Sequence, residues 1–125
     1  MSINVDWDVE KKETLVLEFS GEWSWHECRE AMQVVMYMND GSEGSINHIY
    51  DLSESALTTR ACLTHLQKLL KLELNPAPEK IIIVDKAFRV HMLEDMLVSI
   101  TRSAQNIHFA EDLESARKLL LGNLR

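Results

Sequence analysis

Asp51 and Asp85 each close a β-type run, Ile46-Asn47-His48-Ile49-Tyr50 and Ile81-Ile82-Ile83-Val84, and Lys86 follows directly on the second. Two carboxylates at one sheet edge can hold Mg2+ through water, so a phospho-aspartyl or Mg-dependent function at Asp51 and Asp85 is one expectation. The plain alternative is that both are solvated strand-end residues that cap turns. His26 and Glu30 stand four apart near Cys28, but zinc ligands must share a face, and His26 and Cys28 do not. The five histidines (His26, His48, His65, His91 and His108) fall singly on five predicted elements, so no metal is expected. Cys28 and Cys62 lie on or beside apolar helix faces with no partner at redox spacing, which suits core thiols. There is no Gly-rich phosphate loop, nucleophile elbow or Ser/His/Asp order, and the chain has only four glycines to build one. Neither a catalytic residue nor a cofactor is expected. Trp23 and Trp25 flank the start of the first predicted helix. One can staple that helix while the other lines a groove, because Trp is enriched at interaction surfaces as well as in cores.

The elements that must position these side chains follow from apolar periodicity. Ile3 to Trp7 alternates, Glu10-Lys11-Lys12-Glu13 is a polar turn, and Thr14 to Phe19 is a second β-type run, which together predict an antiparallel hairpin. Ser24-Trp25-His26-Glu27 has capping-box spacing, and Trp23 and Cys28 stand where a hydrophobic staple would join. The stripe Cys28, Ala31, Met32, Val35 and Met36 then predicts a helix ending near Asn39-Asp40-Gly41. After the loop at 41–45 and the strand running into Asp51-Leu52-Ser53, Thr58 or Thr59 can cap a second helix. Its inward stripe is Leu63, Leu66, Leu69 and Leu70, and it stops before Asn75-Pro76-Ala77-Pro78. The β-branched run at 81–84 predicts a strand buried on both faces. A third helix is expected from about Ala87 to Ser103, with Phe88, Met92, Leu93, Met96, Leu97 and Ile100 on a wide apolar face. Asn106 to Phe109 predicts a short strand. Asp112 predicts the cap of a last helix burying Leu113, Ala116, Leu119 or Leu120, and Leu124.

The order β-β-α-β-α-β-α-β-α, with no long linker and no repeat, predicts one α/β domain over residues 1–125, a mixed sheet of about five strands with helices packed on it. Right-handed crossovers would make the later strands parallel and leave the first at an antiparallel edge. Ligand sites in such sheets favour the carboxyl ends of the parallel strands, which selects Asp51 to Thr59, Asp85 to Arg89, and Ala110 to Asp112. Composition fits a single globular unit, with 46% hydrophobic and 26% charged residues. A formal net charge of −7, with the basic residues dispersed, repels phosphate backbones and anionic lipids, so neither nucleic acid nor a membrane surface is an expected partner. No apolar run reaches membrane-spanning length. Two cysteines and a hydrophilic start predict a reducing, cytoplasmic setting.

Leu15-Val16-Leu17-Glu18-Phe19-Ser20-Gly21-Glu22-Trp23 resembles the second strand of STAS domains, the fold of bacterial anti-sigma-factor antagonists. Ile49-Tyr50-Asp51-Leu52-Ser53 resembles their central strand end. Phe109, with Leu113-Glu114-Ser115-Ala116 and Leu119, resembles their closing strand and helix. The resemblance runs from about Val5 to Leu121. It implies a regulatory, protein-binding domain whose second helix begins at a phosphorylatable serine read by a kinase. Here Ala56-Leu57-Thr58-Thr59-Arg60-Ala61-Cys62 stands in that place, and the Asp-Ser-Ser-Gly signature is absent. Thr59 falls about where its Asp would lie and Arg60 about where the acceptor Ser would, so Thr58 and Thr59, with Ser53, are the phosphosite candidates. A phosphate there would meet a helix N-terminus and could pair with Arg60; the simpler role for either Thr is a helix cap. Asp51, Asp85 and Lys86 also resemble the acid and lysine cluster of receiver domains, although a receiver opens on a strand bearing paired acids and lacks the hairpin.

Three functions are therefore expected, in this order. The first is a non-catalytic, cytoplasmic regulatory or protein-binding module of STAS-like type, using the second helix and the loop from Ser53 to Arg60 and tuned by phosphorylation. The second is a small-molecule or lipid binding domain with a pocket at the strand ends bordered by Trp23 and Trp25. The third is the Asp51 and Asp85 function. Arg60, Asp85 and Lys86 join the tryptophans and Asp51 as contact candidates, and the Met-rich helices allow a homodimer.

Overall fold

The computed structural model describes residues 2–9, 13–40, 46–74, 77–98 and 106–122. Five strands and four helices alternate as β1 (Ile3–Trp7), β2 (Thr14–Gly21), α1 (Trp25–Asn39), β3 (Asn47–Ser55), α2 (Thr59–Leu70), β4 (Ile81–Val84), α3 (Ala87–Val98), β5 (Ile107–Ala110) and α4 (Leu113–Gly122). They form one α/β domain around a single mixed sheet, in the order expected. Strand order in space is β1-β2-β3-β4-β5; β1 is antiparallel to β2, and every later pair is parallel. Each parallel strand is laid beside its predecessor in the same direction. Crossovers of one hand therefore place α1, α2 and α3 on the same face.

The strand period of two splits the core accordingly. Leu15, Leu17, Phe19, Tyr50, Leu52, Ile81 and Ile83 meet the buried sides of α1, α2 and α3. Val16, Ile49, Ile82, Val84 and Ala110 face the other way, against Ala116 and Leu120 of α4. All four residues of β4 are buried, as its continuous apolar run predicts.

Local signals set the helix ends. Ser24 Oγ accepts from the Glu27 amide at 3.1 Å and the Glu27 carboxylate accepts from the Ser24 amide at 3.1 Å, completing the capping box of α1. That backbone bond holds the Glu27 carboxyl below its ordinary pKa. Thr58 Oγ1 caps α2 through the Ala61 amide at 3.2 Å, and Asp112 Oδ1 caps α4 through the Ser115 amide at 2.7 Å. Gly21 ends β2 at φ +63, a left-handed conformation in which a Cβ would be strained, and its carbonyl accepts from the Ala56 amide.

Four expectations need correction. β3 does not stop near Ser53 but continues through Ser55, because a register shift between Glu18 and Ser20 lets β2 follow it to its end. Met36, assigned to the inner stripe of α1, is exposed, and Asn39 is buried instead. The inner side of α3 is Val90, Leu93 and Leu97, whereas Phe88, Met92 and Met96 are 74%, 37% and 39% exposed. In α2 the buried residues are Cys62, Leu66 and Leu69, with Leu63 and Leu70 half-buried at the margin. Ile100, Ser103 and Leu124, and the loops at 10–12, 41–45 and 75–76, lie outside the described residues. Among the described residues, no helix is long and apolar enough to cross a membrane.

Candidate functional site at the carboxyl ends of the parallel strands

The carboxyl ends of β3 and β4 bring together Asp51, Ser53, Ser55, Asp85 and Arg89. β3 delivers the first three from alternate positions and β4 the fourth, since Asp51 pairs with Val84, the neighbour of Asp85. Arg89, in the first turn of α3, turns back over these ends. Its Nε and Nη2 donate to Asp85 Oδ1 at 3.1 and 2.9 Å, Nη1 donates to the Ser55 carbonyl at 3.1 Å, and Nη2 donates to the Leu52 carbonyl at 3.0 Å. One guanidinium thus ties the end of β3 to the end of β4.

The two acids are both engaged. Asp85 is 1% exposed and its Oδ1 also accepts from the Lys86 amide at 2.7 Å. Burial pushes its carboxyl above the ordinary range, opposed by the Lys86 amide and Arg89, with nearby Asp51 adding to the rise. Asp51, half-buried, accepts at Oδ1 from the Ser53 amide at 3.0 Å and the Ser53 hydroxyl at 2.7 Å. The phosphosite candidate Ser53 therefore has its hydroxyl committed to Asp51. Thr58 is exposed, with its oxygen accepting the α2 cap bond, and Thr59 is half-buried as the first residue of α2. Arg60 and Lys86 are exposed and make no ion pair among the described residues.

The tryptophans divide as one inner and one outer residue. Trp23 is 1% exposed; its Nε1 donates to Ser55 Oγ at 2.9 Å, and its ring lies 4.7 Å from that of Phe19 and 5.0 Å from that of His65. Trp25 is half-buried, stacked on His65 at 6.4 Å, with Lys68 Nζ 5.6 Å from its ring centre. His65 is held below the ordinary imidazole pKa by burial and by Lys68. A contiguous chain thus runs from Trp25 through His65, Trp23 and Ser55 to Arg89 and Asp85.

Neither cysteine is poised as a nucleophile. Burial pushes the Cys28 and Cys62 thiols to about 12, in Cys62 with Asp85 adding and Arg89 opposing. His48 and Tyr50 lie on the buried α1–α3 face, with Nδ1 and the phenol oxygen 3.1 Å apart. His26 and Glu30 form an exposed pair at 3.6 Å on α1. Among the described residues no three His, Cys, Asp or Glu side chains converge as metal ligands.

Two members of the site, Arg89 and Ser55, were not among the contact candidates. Asp85 and Arg89 stand at i,i+4, so their pairing had a signal in the sequence. Ser55 fell within the span from Asp51 to Thr59 that the strand-end rule selects, but nothing singled it out, because it takes its place only through the extension of β3. The strand-end rule also has a topological condition. Crevices open where strand order reverses, and β2 to β5 run in unbroken order. No protein-family model matches the chain, and no curated protein matches it.

Proposed function

We propose that this chain is a non-catalytic regulatory module of STAS-like type, working in the cytoplasm, that docks an acidic protein partner on the surface formed by the β3–α2 loop and the start of α3. The observation that carries the reading is the exposure of Phe88. A large aromatic ring 74% exposed in the first turn of α3 stands two residues from Lys86, and α3 packs beside α2, whose first turn carries Arg60. An apolar anchor beside exposed cations that make no ion pair among the described residues suits a partner segment with an apolar side chain and flanking carboxylates. The Arg89 clamp beneath it supplies a rigid platform, which lowers the ordering cost of binding. Phosphorylation at Thr58 or Thr59 would put negative charge beside Arg60 and weaken attraction to an acidic partner.

The test compares proteins retained from cytoplasmic extract by the wild-type chain, by Phe88→Ser, by Arg60→Glu with Lys86→Glu, and by Tyr37→Ser on α1 as a control. The reading requires a protein retained by wild type and control and lost with both site variants, whose purified form binds directly with an affinity that falls as salt rises. It is sunk as a docking module if retention is the same for all four. The phospho-switch part is sunk if Thr58→Ala and Thr59→Ala leave partner binding and phosphate incorporation unchanged.

A further inference from the structure

A second site lies at the opposite end of the sheet and is independent of the docking surface. Between the end of α2 and the amino ends of β4 and β5 is a cavity of about 260 Å3, walled by Leu69, Leu74, Ile81 and Ile107, with Asn106 and Tyr50 as its polar side chains. A cavity of roughly 150 Å3 lined by apolar side chains suffices to hold benzene, so this one has room for a one- or two-ring molecule. No Asp, Glu, Lys, Arg or His lines it among the described residues. The carboxyl end of α2, which forms one wall at Leu69, presents the negative end of the helix dipole. Lys68 and Lys71 offset that dipole at the surface, so it is the lack of a lining cation that disfavours anions, fatty acids and nucleotides included. Asn106 Nδ2 donates to the Pro78 carbonyl at 3.3 Å, which leaves its Oδ1 as an acceptor.

A second cavity borders the first. A shallower cavity of about 140 Å3 opens between Met32 and Met36 of α1 and the segment after α2, and Leu72 and Leu74 line both spaces. Leu72, which is exposed, and Leu74 are thus common to both cavities, and the second is also lined by adaptable methionines.

We propose that this cavity is a binding site for an uncharged, ring-sized apolar molecule carrying one hydrogen-bond donor, taken in past Leu72 and Leu74 and oriented by Asn106 Oδ1. Indole is the probe, with benzoate and dodecanoate as anionic comparisons, each titrated into the intact 15N-labelled protein and followed by amide shifts. Saturable shifts with indole are expected at Leu69, Ile81, Asn106 and Ile107, with a Kd below about 1 mM, and none at those positions with either anion. Ala77→Trp, on the exposed rim, should abolish the shifts. Asn106→Leu should weaken indole about tenfold while leaving benzene binding intact. The proposal is overturned if wild-type protein gives no saturable shifts with indole, if benzoate or dodecanoate binds there as well as indole does, or if a folded Ala77→Trp still binds. If Asn106→Leu binds indole unchanged, the assignment of Asn106 as the orienting group fails.

Discussion

Arg89 shows how much one side chain can hold. With Asp85 almost wholly buried and Arg89 four-fifths buried, their pair is not a surface ion pair, and removing either partner strands charge or carbonyls away from water. Arg89→Met should therefore destabilise the domain by about 3–5 kcal/mol in urea unfolding. Asp85→Asn combined with Arg89→Met should cost clearly less than the sum of the two single changes, because the second removal relieves the first. Additive costs would mean the two residues do not act as a unit. The pair was half legible. Asp85 was marked by its place at a strand end, but Asp and Arg at i,i+4 ordinarily describe a solvated helix pair worth about 0.3–0.5 kcal/mol. What turns Arg89 inward is the pair of carbonyls at Leu52 and Ser55, 37 and 34 residues earlier in the chain.

At the scale of elements, α2 depends on its first turn. Thr58 supplies the cap, so Thr58→Ala should lower stability by about 1 kcal/mol, whereas Thr58→Asp, itself a good cap, should leave thermal unfolding nearly unchanged. Thr59→Ala, inside the helix, should fall within about 0.5 kcal/mol of wild type. Calorimetry of the three variants checks this, and a larger loss for Thr59→Ala than for Thr58→Ala would contradict the capping geometry. The capping signals of α1, α2 and α4 were all readable because each is a local pattern of four residues. The face of α3 was not. With apolar residues around most of its circumference, periodicity alone does not select a side. The sheet accepts Val90, Leu93 and Leu97, and the side left over became the ridge on which the docking proposal stands. β3 was read short for a related reason: Ser53-Glu54-Ser55 is polar, and it is strand only because β2 runs beside it.

The whole molecule carries a pH dependence in His48. The ring is fully buried on the α1–α3 face, and burial pushes its pKa down to about 4 from an ordinary value of 6.5. Between those values the unfolded chain takes up a proton that the folded chain refuses, so stability rises with pH across the window. The contribution is complete above about pH 6.5 and is lost as pH falls towards 4, by on the order of 3 kcal/mol. Urea midpoints at about pH 7.5 and about pH 4.5 should therefore differ more for wild type than for His48→Gln, and an equal difference would refute the role of His48. The parallel run of the later strands and the antiparallel edge at β1 were legible from the alternation of elements and the handedness of crossovers, whereas the face each helix covers was not read from the sequence. The tie between Asp8 and Arg117, with Nη2 to Oδ1 at 2.6 Å and Nε to Oδ2 at 3.1 Å, was not, because it joins residues 109 positions apart. That tie and the α4 packing have a consequence for how the protein is made. Every strand leaves the ribosome before α4 does, so Val16, Ile49, Ile82 and Val84 form a bare apolar surface on the nascent chain until the last helix arrives. Apolar surface left bare in that interval is prone to aggregate, and the tie between Asp8 and Arg117 can form only once α4 is in place.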